Sequence, residues 1–158
     1  MQIEWNGLSS FFITSKTLNG DVHLVTDPYH NSTGLRFPRT LQAEMLLLSH
    51  AGEDADNVEA ISGSPYLIDM PGEFEVRGIF VFGMESPLKE QNKKHEFSHR
   101  IFRMEAEGMR LAHLGALNRI LTDDELQRLE NIDILMIPVG GGRVMDATTA
   151  GEVIAQIE

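Results

Sequence analysis

A histidine followed by three acidic residues is the segment of this sequence whose residue types could support chemistry. His50 directly follows an apolar run at residues 45–49, and Glu53, Asp54 and Asp56 come shortly after it. Carboxylate oxygens are the ligands that hard cations such as Mg²⁺ and Ca²⁺ prefer, so the cluster could hold such a cation weakly. An acidic run is also typical of a solvated helix start, where carboxylates interact favourably with the helix dipole. Both interpretations stay open from the residues alone.

A second pair of histidines has helical spacing. His95 and His99 lie four residues apart and would share one face of a helix. Lys93, Lys94 and Arg100 surround the pair with positive charge, which opposes cation binding. We therefore interpret this stretch as a solvated loop rather than a metal site.

The remaining histidines are weaker candidates. His113 lies in an apolar strand pattern, and we expect it to be a hydrogen-bonded core residue rather than a metal ligand. His23 is expected on the surface of a strand. His30 follows the turn at residues 27–29 and could lie near the mouth of a site.

Two patterns resemble enzyme motifs but lack their defining parts. The glycines at residues 140–142 stand between a strand and a helix, as in phosphate-binding loops, yet the Gly-Lys-Ser/Thr ending is missing. A tight strand-to-helix turn explains them. Ser49 precedes His50, but no Gly-x-Ser-x-Gly elbow surrounds the serine. We therefore predict neither a nucleotide site nor a serine nucleophile.

Composition excludes several classes of function. The chain has 158 residues and no cysteine, which removes disulfides, iron–sulfur clusters, cysteine zinc sites and a cysteine nucleophile. Its net charge of −11 opposes binding to nucleic acids and anionic membranes. Apolar runs are too short to span a bilayer, and no signal-peptide pattern is visible at the N-terminus. We expect one cytoplasmic domain covering residues 1–158.

The elements that must position these residues are mostly strands. The Thr122 and Glu125 pair is a capping box that starts a helix, Asp146 caps a final helix, and a weaker helix is predicted at residues 56–61. Antiparallel strands come first and helices late, which indicates an α+β fold. Short apolar runs between turn residues predict strands at residues 3–5, 11–14, 22–26, 45–49, 66–68, 74–76, 79–84, 100–105, 109–114 and 132–139.

Six ordered segments carry a resemblance to a known family. They are residues 3–11, 26–29, 46–50, 68–76, 113–115 and 133–141. In this order they resemble the metallo-β-lactamase superfamily, and most closely its L-ascorbate-6-phosphate lactonase-like branch of Zn-dependent hydrolases. The resemblance implies a four-layer αββα sandwich, here shortened at the C-terminus, with any active site at the edge between the two sheets.

The main metal motif implied by the resemblance is degenerate. The family motif His-x-His-x-Asp-His falls on residues 50–55, where His50 and Asp54 remain while Gly52 and Ala55 replace histidines. In the family, the first histidine and the aspartate usually serve different metals. His50 and Asp54 are thus the remnant metal-ligand positions.

Further ligand positions of the family also carry apolar residues. Leu8 stands at an often-seen histidine, Leu88 near the middle histidine, and Ala116 at the bridging aspartate. A catalytic zinc needs three protein ligands and a water, and without metal the family's hydrolysis has no Lewis acid. We expect a metal-free, inactive binding or assembly module without a cofactor.

Two alternatives remain. The protein could be a divergent hydrolase that holds one Zn²⁺ or another divalent metal through His50, Asp54 and an unidentified third ligand. An exposed sheet edge could also pair two copies into a homo-oligomer. The sequence identifies no small-molecule ligand.

Overall fold

The described part of the chain forms two five-stranded sheets, one small sheet and two α-helices. A computed structural model describes residues 1–89 and 99–158, so the prediction for His95 lies outside the described residues. The strands are β1 (Gln2–Gly7), β2 (Ser10–Thr17), β3 (Gly20–Thr26), β4 (Leu41–Gln42), β5 (Met45–Leu47), β6 (Ile61–Ser62), β7 (Tyr66–Ile68), β8 (Gly72–Val76), β9 (Ile79–Glu85), β10 (Arg100–Ala106), β11 (Met109–His113) and β12 (Ile134–Met136). The helices are α1 (Asp123–Arg128) and α2 (Ala147–Ile157).

Both large sheets are mixed. The first has the strand order β1-β2-β3-β5-β7 and the second the order β12-β11-β10-β9-β8. Neighbours are antiparallel in the hairpin part of each sheet. Parallel pairing occurs at β3–β5, β5–β7 and β11–β12. Parallel pairs bring the carboxyl ends of β3 and β5 to the same edge, which is where Asp27 and Ser49 emerge.

The main core lies between the two large sheets. Alternating residues of the strands point inward from both sides, as the period of two in a strand requires. Their burial removes apolar surface from water and holds the sheets face to face. The buried members are Ile13, Val22, Leu24, Met45, Leu47 and Ile68 from the first sheet and Ile79, Val81, Phe102, Met104, Ala106, Leu111 and Met136 from the second.

The two α-helices cover the outer face of the second sheet. The Thr122 side chain accepts a hydrogen bond from the Glu125 backbone N–H, and the Glu125 side chain accepts one from Thr122, so the predicted capping box is confirmed. Asp146 caps α2 by accepting from the Thr149 N–H. Helix α2 buries Ala150 and Val153 in a second apolar cluster beneath the helices.

The outer face of the first sheet is covered differently. Tyr29, Phe37 and Ile61 pack there against the outward side chains of β3 and β5. In the described part of the chain this layer consists of loops, 3-10 turns and the small β4–β6 sheet. The predicted helix at residues 56–61 is wrong: a single 3-10 turn at Val58–Ala60 leads directly into β6. Ile61 pairs with Leu41 in a parallel ladder and is buried there. Because Ile61 belongs to a strand, the helical turn before it cannot extend further.

The predicted fold class is confirmed in this arrangement of two stacked mixed sheets with few helices. Neither of the two helices is long and apolar enough to cross a membrane.

Candidate functional site

Polar residues from both sheets meet at one edge of the sandwich. Asp27 follows β3, Ser49 and His50 follow β5, and His113 ends β11 of the other sheet. The Asp27 carboxylate lies 3.7 Å from His113 Nε2, which spans the gap between the sheets. This is the edge at which the sequence resemblance places an active site.

A fully buried aspartate fixes the loop after β5. Asp27 Oδ1 accepts a hydrogen bond from the Ser49 backbone N–H at 2.7 Å, and Oδ2 accepts one from the Ser49 hydroxyl at 2.6 Å. Both residues are inaccessible to solvent. Bonds to an ionised buried acceptor are among the strongest in proteins. Asp27 is thus a structural anchor, and a buried Ser49 hydroxyl committed to it is not an exposed nucleophile.

His50 is oriented by this same hydroxyl. Its Nδ1 lies 2.8 Å from Ser49 Oγ. The single hydroxyl proton of Ser49 is donated to Asp27, so His50 Nδ1 must carry a proton and donate to Oγ. The ring therefore presents Nε2 towards the loop that contains Asp54.

The two remnant motif residues contact each other. His50 Nε2 lies 3.2 Å from Asp54 Oδ2, which is an ion-pair distance. The angle between the two groups does not suit a hydrogen bond, so Nε2 has no hydrogen-bond partner among the described residues. Burial opposes protonation of His50, but Asp54 and the charge of Asp27 outweigh it and raise the pKa of the imidazole. The contact with His50 in turn lowers the pKa of Asp54. The pair carries its own compensating charges.

The other acids of the cluster also have internal partners. Asp56 Oδ2 accepts from the Gly52 N–H at 2.8 Å, and Asp56 Oδ1 lies 3.2 Å from His30 Nε2. His30 therefore does lie beside this loop. Arg143 approaches Asp54 Oδ2 at 3.7 Å. Within residues 1–89 and 99–158, no three His, Asp or Glu side chains converge as a metal site requires.

A mostly apolar cleft of about 750 Å³ opens beside this cluster. The cleft lies between the β1–β2 turn and the segment after β12. Residues lining it include Trp5, Asn6, Leu8, Phe11, Asp54, His113, Ala116, Ile137, Pro138 and Val139.

His113 forms part of the cleft floor. Its Nε2 donates a hydrogen bond to the Ser9 carbonyl oxygen at 2.8 Å, and its ring packs edge-on against Phe11. The side chain is buried, and Nδ1 has no hydrogen-bond partner among the described residues. The predicted role as a hydrogen-bonded core residue is confirmed.

Comparison with known proteins identifies the family. Residues 2–158 match the family model described as the beta-lactamase superfamily domain. The chain belongs to the metallo-β-lactamase superfamily. No functionally curated protein is significantly similar in sequence.

Solved structures share this metallo-β-lactamase fold. A presumed Zn-dependent hydrolase from Thermotoga maritima is 27% identical with a TM-score of 0.77, over 98% of this chain and 70% of that one. A presumed metal-dependent hydrolase from Parabacteroides distasonis is 15% identical, with a TM-score of 0.73 over 98% of this chain and 76% of that one. The metallo-β-lactamase fold protein YhfI from Bacillus subtilis is 11% identical, with a TM-score of 0.62 over 96% of this chain and 74% of that one. The given sequence therefore spans 70% to 76% of the length of these structures.

The loop that carries the superfamily's main metal motif is closed on itself here. The Ala55 and Asp56 N–H groups both donate to the Gly52 carbonyl oxygen. A Cβ at Gly52 would lie 2.8 Å from Asp54 Oδ1, and the Gly52 φ of +146° suits glycine alone. Ala55 is fully buried. A histidine at position 52 would therefore require a strained backbone and a shift of Asp54, and one at position 55 would have to displace the atoms that bury Ala55.

The other positions that the sequence resemblance matches to superfamily ligands carry hydrocarbon side chains. Leu8 and Ala116 line the cleft, and Leu88 packs against the apolar cluster under the helices. Together with the two-residue remnant at His50 and Asp54, these side chains do not fit a metal centre among the described residues.

One site residue was not predicted. His99 is fully buried, with Nδ1 donating to the Ser86 carbonyl oxygen at 2.7 Å and Nε2 accepting from the Ala116 N–H at 3.0 Å. Burial lowers the pKa of His99 to about 3, so the ring stays neutral. The prediction of a solvated loop is wrong for His99, and its place directly before β10 is the signal that could have revealed this.

A glycine lets the two sheets approach at the site. Gly115 has a φ of +55°, and a Cβ there would lie 2.8 Å from His99 Nε2 and closer still to the Ser49 hydroxyl. The glycines at residues 140–142 form the predicted turn, in which the Gly141 N–H donates to the Met145 carbonyl oxygen.

Proposed function

We propose that this protein is a metal-free, catalytically inactive member of the superfamily that acts as a binding or assembly module. The direct contact between His50 Nε2 and Asp54 Oδ2 carries the proposal. The two donors that the motif retains already satisfy each other's charge, with Arg143 as a further cation near Asp54. A bound cation would have to compete with this contact, and no group of three His, Asp or Glu side chains among the described residues is arranged to hold it.

Loss of hydrolysis follows from the same geometry. Superfamily hydrolysis needs a metal to lower the pKa of water and polarise the substrate. Leu8 and Ala116 offer no donor atoms where the cleft meets the cluster. Ser49, the hydroxyl beside His50, is buried and bonded to Asp27. Ser49 is therefore not available as a nucleophile.

One observation favours the competing single-metal hydrolase. His113 Nδ1 at the same edge is a buried imidazole nitrogen without a partner among the described residues, although it does not converge there with His50 and Asp54 into a three-ligand group. In this alternative, His50, Asp54 and a third donor hold one Zn²⁺ or a similar divalent ion.

Metal binding in solution separates the two functions. Protein purified without chelators is analysed for zinc, manganese and iron, and then titrated with Zn²⁺ in competition with a chromophoric chelator. We expect far less than one equivalent and only weak Zn²⁺ binding. His50→Ala and Asp54→Ala are compared with Asp21→Ala, which changes an exposed residue of β3. Near-stoichiometric metal that both site variants lose and Asp21→Ala keeps would establish the single-metal alternative instead.

Location and partners stay predictions. The acidic composition supports a protein that binds neither nucleic acids nor anionic membranes, and the cytoplasm is its expected location. Cell fractionation with nuclease treatment tests both predictions.

A further inference from the structure

We propose that the cleft beside His113 binds an uncharged, mainly apolar small molecule whose head group both donates and accepts a hydrogen bond, such as a phenol, an alcohol or a primary amide. The inference rests on the proposed function, because it names the class of ligand that the proposed binding module would hold.

The residues that line the cleft indicate that the main part of the ligand is apolar. A volume of about 750 Å³ lies within the usual range for small-molecule sites. Trp5, Leu8, Phe11, Ile137, Pro138 and Val139 supply aromatic and aliphatic surface. Trp5 is 70% exposed, and Leu8 and Val139 are exposed too, so apolar surface continues out to the rim. Burying an apolar ligand here would remove this surface from water.

The charges in the cleft disfavour an ionic ligand. Asp54 is the carboxylate among the described lining residues, and it already has an ion-pair contact with His50. A cationic ligand would therefore find no uncompensated negative partner. Arg36 lines the cleft but is exposed, so water screens its attraction for an anion. The net charge of −11 further repels anions.

Two buried polar atoms determine the head group. Asn6 Nδ2 and His113 Nδ1 both belong to lining residues, and neither has a hydrogen-bond partner in the described part of the chain. Because His113 Nε2 donates to the Ser9 carbonyl, Nδ1 is the ring nitrogen left to accept a hydrogen bond. Asn6 Nδ2 is a donor. Buried polar atoms without partners are costly, and a hydroxyl or amide can satisfy both kinds.

Ligand entry requires a small adjustment of side chains. Neighbouring atoms cover Asn6 Nδ2 and His113 Nδ1, so the head group has to displace what lies over them. Asn6 stands at the end of β1, and its backbone carbonyl is held by the Tyr29 hydroxyl at 2.6 Å. The amide side chain can therefore rotate while the backbone stays in place.

Three probes with the same apolar body test the head group. They are 4-butylphenol, which donates and accepts, 4-butylanisole, which only accepts, and 4-butylbenzoate, which is anionic. Trp5 is the single tryptophan and lines the cleft, so its fluorescence reports binding. We expect the phenol to bind about 5-fold more tightly than the anisole, and the benzoate most weakly. Equal affinity of phenol and anisole, preference for the benzoate, or no binding at millimolar concentration would overturn the inference.

Variants locate the binding. Asn6→Leu removes an unpartnered donor and adds apolar surface, so it should fold normally and yet weaken 4-butylphenol about 3-fold. Val139→Asp places a charge on the exposed rim and should weaken the phenol and the anisole alike. Leu18→Ala changes an exposed leucine outside the cleft and serves as the control. Tighter or unchanged phenol binding by Asn6→Leu contradicts the assigned contact.

Failure of this inference is distinguishable from failure of the proposed function. Stoichiometric metal would refute the metal-free function, whatever the probes show. A metal-free protein that binds none of the probes refutes the ligand class alone.

Discussion

Asp27 and Ser49 form two hydrogen bonds with each other, from the Ser49 N–H at 2.7 Å and from its hydroxyl at 2.6 Å, and both residues are fully buried. This connection fixes the end of β5 and, through Ser49 Oγ, the orientation of His50. The loop that follows β5 is therefore fixed at its base by Asp27.

Asp27→Asn should destabilise the protein clearly. An amide keeps the shape of the carboxylate but has one oxygen, so one of the two Ser49 donors loses its acceptor inside the protein. We expect a loss of about 2 kcal/mol in the free energy of unfolding, the usual scale for a hydrogen bond to a charged group. Urea denaturation measures it, with Asp21→Asn on the exposed part of β3 as control. Equal stability of the two variants would show that the anchor contributes nothing.

Restoring the lost ligands should fail to restore a metal site. The variant carries Gly52→His, Ala55→His and Ala116→Asp together. Gly52 has a positive φ and its added Cβ would crowd Asp54, while Ala55 and Ala116 are buried. Overpacking costs about 1–3 kcal/mol at each site, so we expect a lower melting temperature and little gain in Zn²⁺ affinity. Tight Zn²⁺ binding by a stably folded triple variant would show that the backbone is still arranged for metal.

The buried ion pair between Arg119 and Glu125 at α1 predicts that the protein loses stability in acid. Burial alone would raise the pKa of Glu125, but hydrogen bonds from Arg119, Ser86 and Thr122 outweigh burial and lower the pKa to about 2. In the unfolded chain the pKa of Glu125 is near its ordinary value. The stabilisation that comes from the lower pKa in the folded protein is therefore fully present at any pH above that ordinary pKa. It is lost as the pH falls towards 2, because protonation then favours the unfolded chain.

Glu125→Gln tests this origin of acid sensitivity. We expect the variant to lose about 3 kcal/mol near neutral pH, since Arg119 is left without its carboxylate, and to lose less of its remaining stability on acidification. Asp124→Asn is the control, because Asp124 pairs with Arg128 on the exposed surface of the same helix. Parallel stability–pH curves for Glu125→Gln and the unmodified protein would contradict the assignment.

The edge strand β12 bears on self-association. Residues Ile134–Met136 pair with β11 on one side and end the second sheet on the other. An unpaired edge is a template for another strand, so we expect a concentration-dependent dimer in sedimentation velocity. A strict monomer at high concentration would refute edge pairing.

Local chemistry made much of the fold predictable from the sequence. The Thr122 capping box and the Asp146 cap depend on neighbours within three residues, and both helices begin where these signals place them. The turn at residues 140–142 and the apolar runs of the strands are equally local. Their signals do not depend on distant parts of the chain.

Long-range contacts account for what the sequence did not reveal. Ile61 enters a strand because Leu41, far away in sequence, offers a pairing partner. His99 is buried because Ser86 and the backbone of Ala116 bond both of its ring nitrogens. Asp27 was interpreted as a turn residue, and only the tertiary structure shows that its carboxylate holds Ser49. The roles of His50 and Asp54 as remnant ligands remain predictions.

Metal content tests the central claim most directly. Elemental analysis of protein purified without chelators should find well below one transition-metal ion per chain, unchanged in His50→Ala. A tightly held ion near one equivalent, lost in His50→Ala and Asp54→Ala, would contradict a scaffold whose remaining donors bind each other instead of a metal.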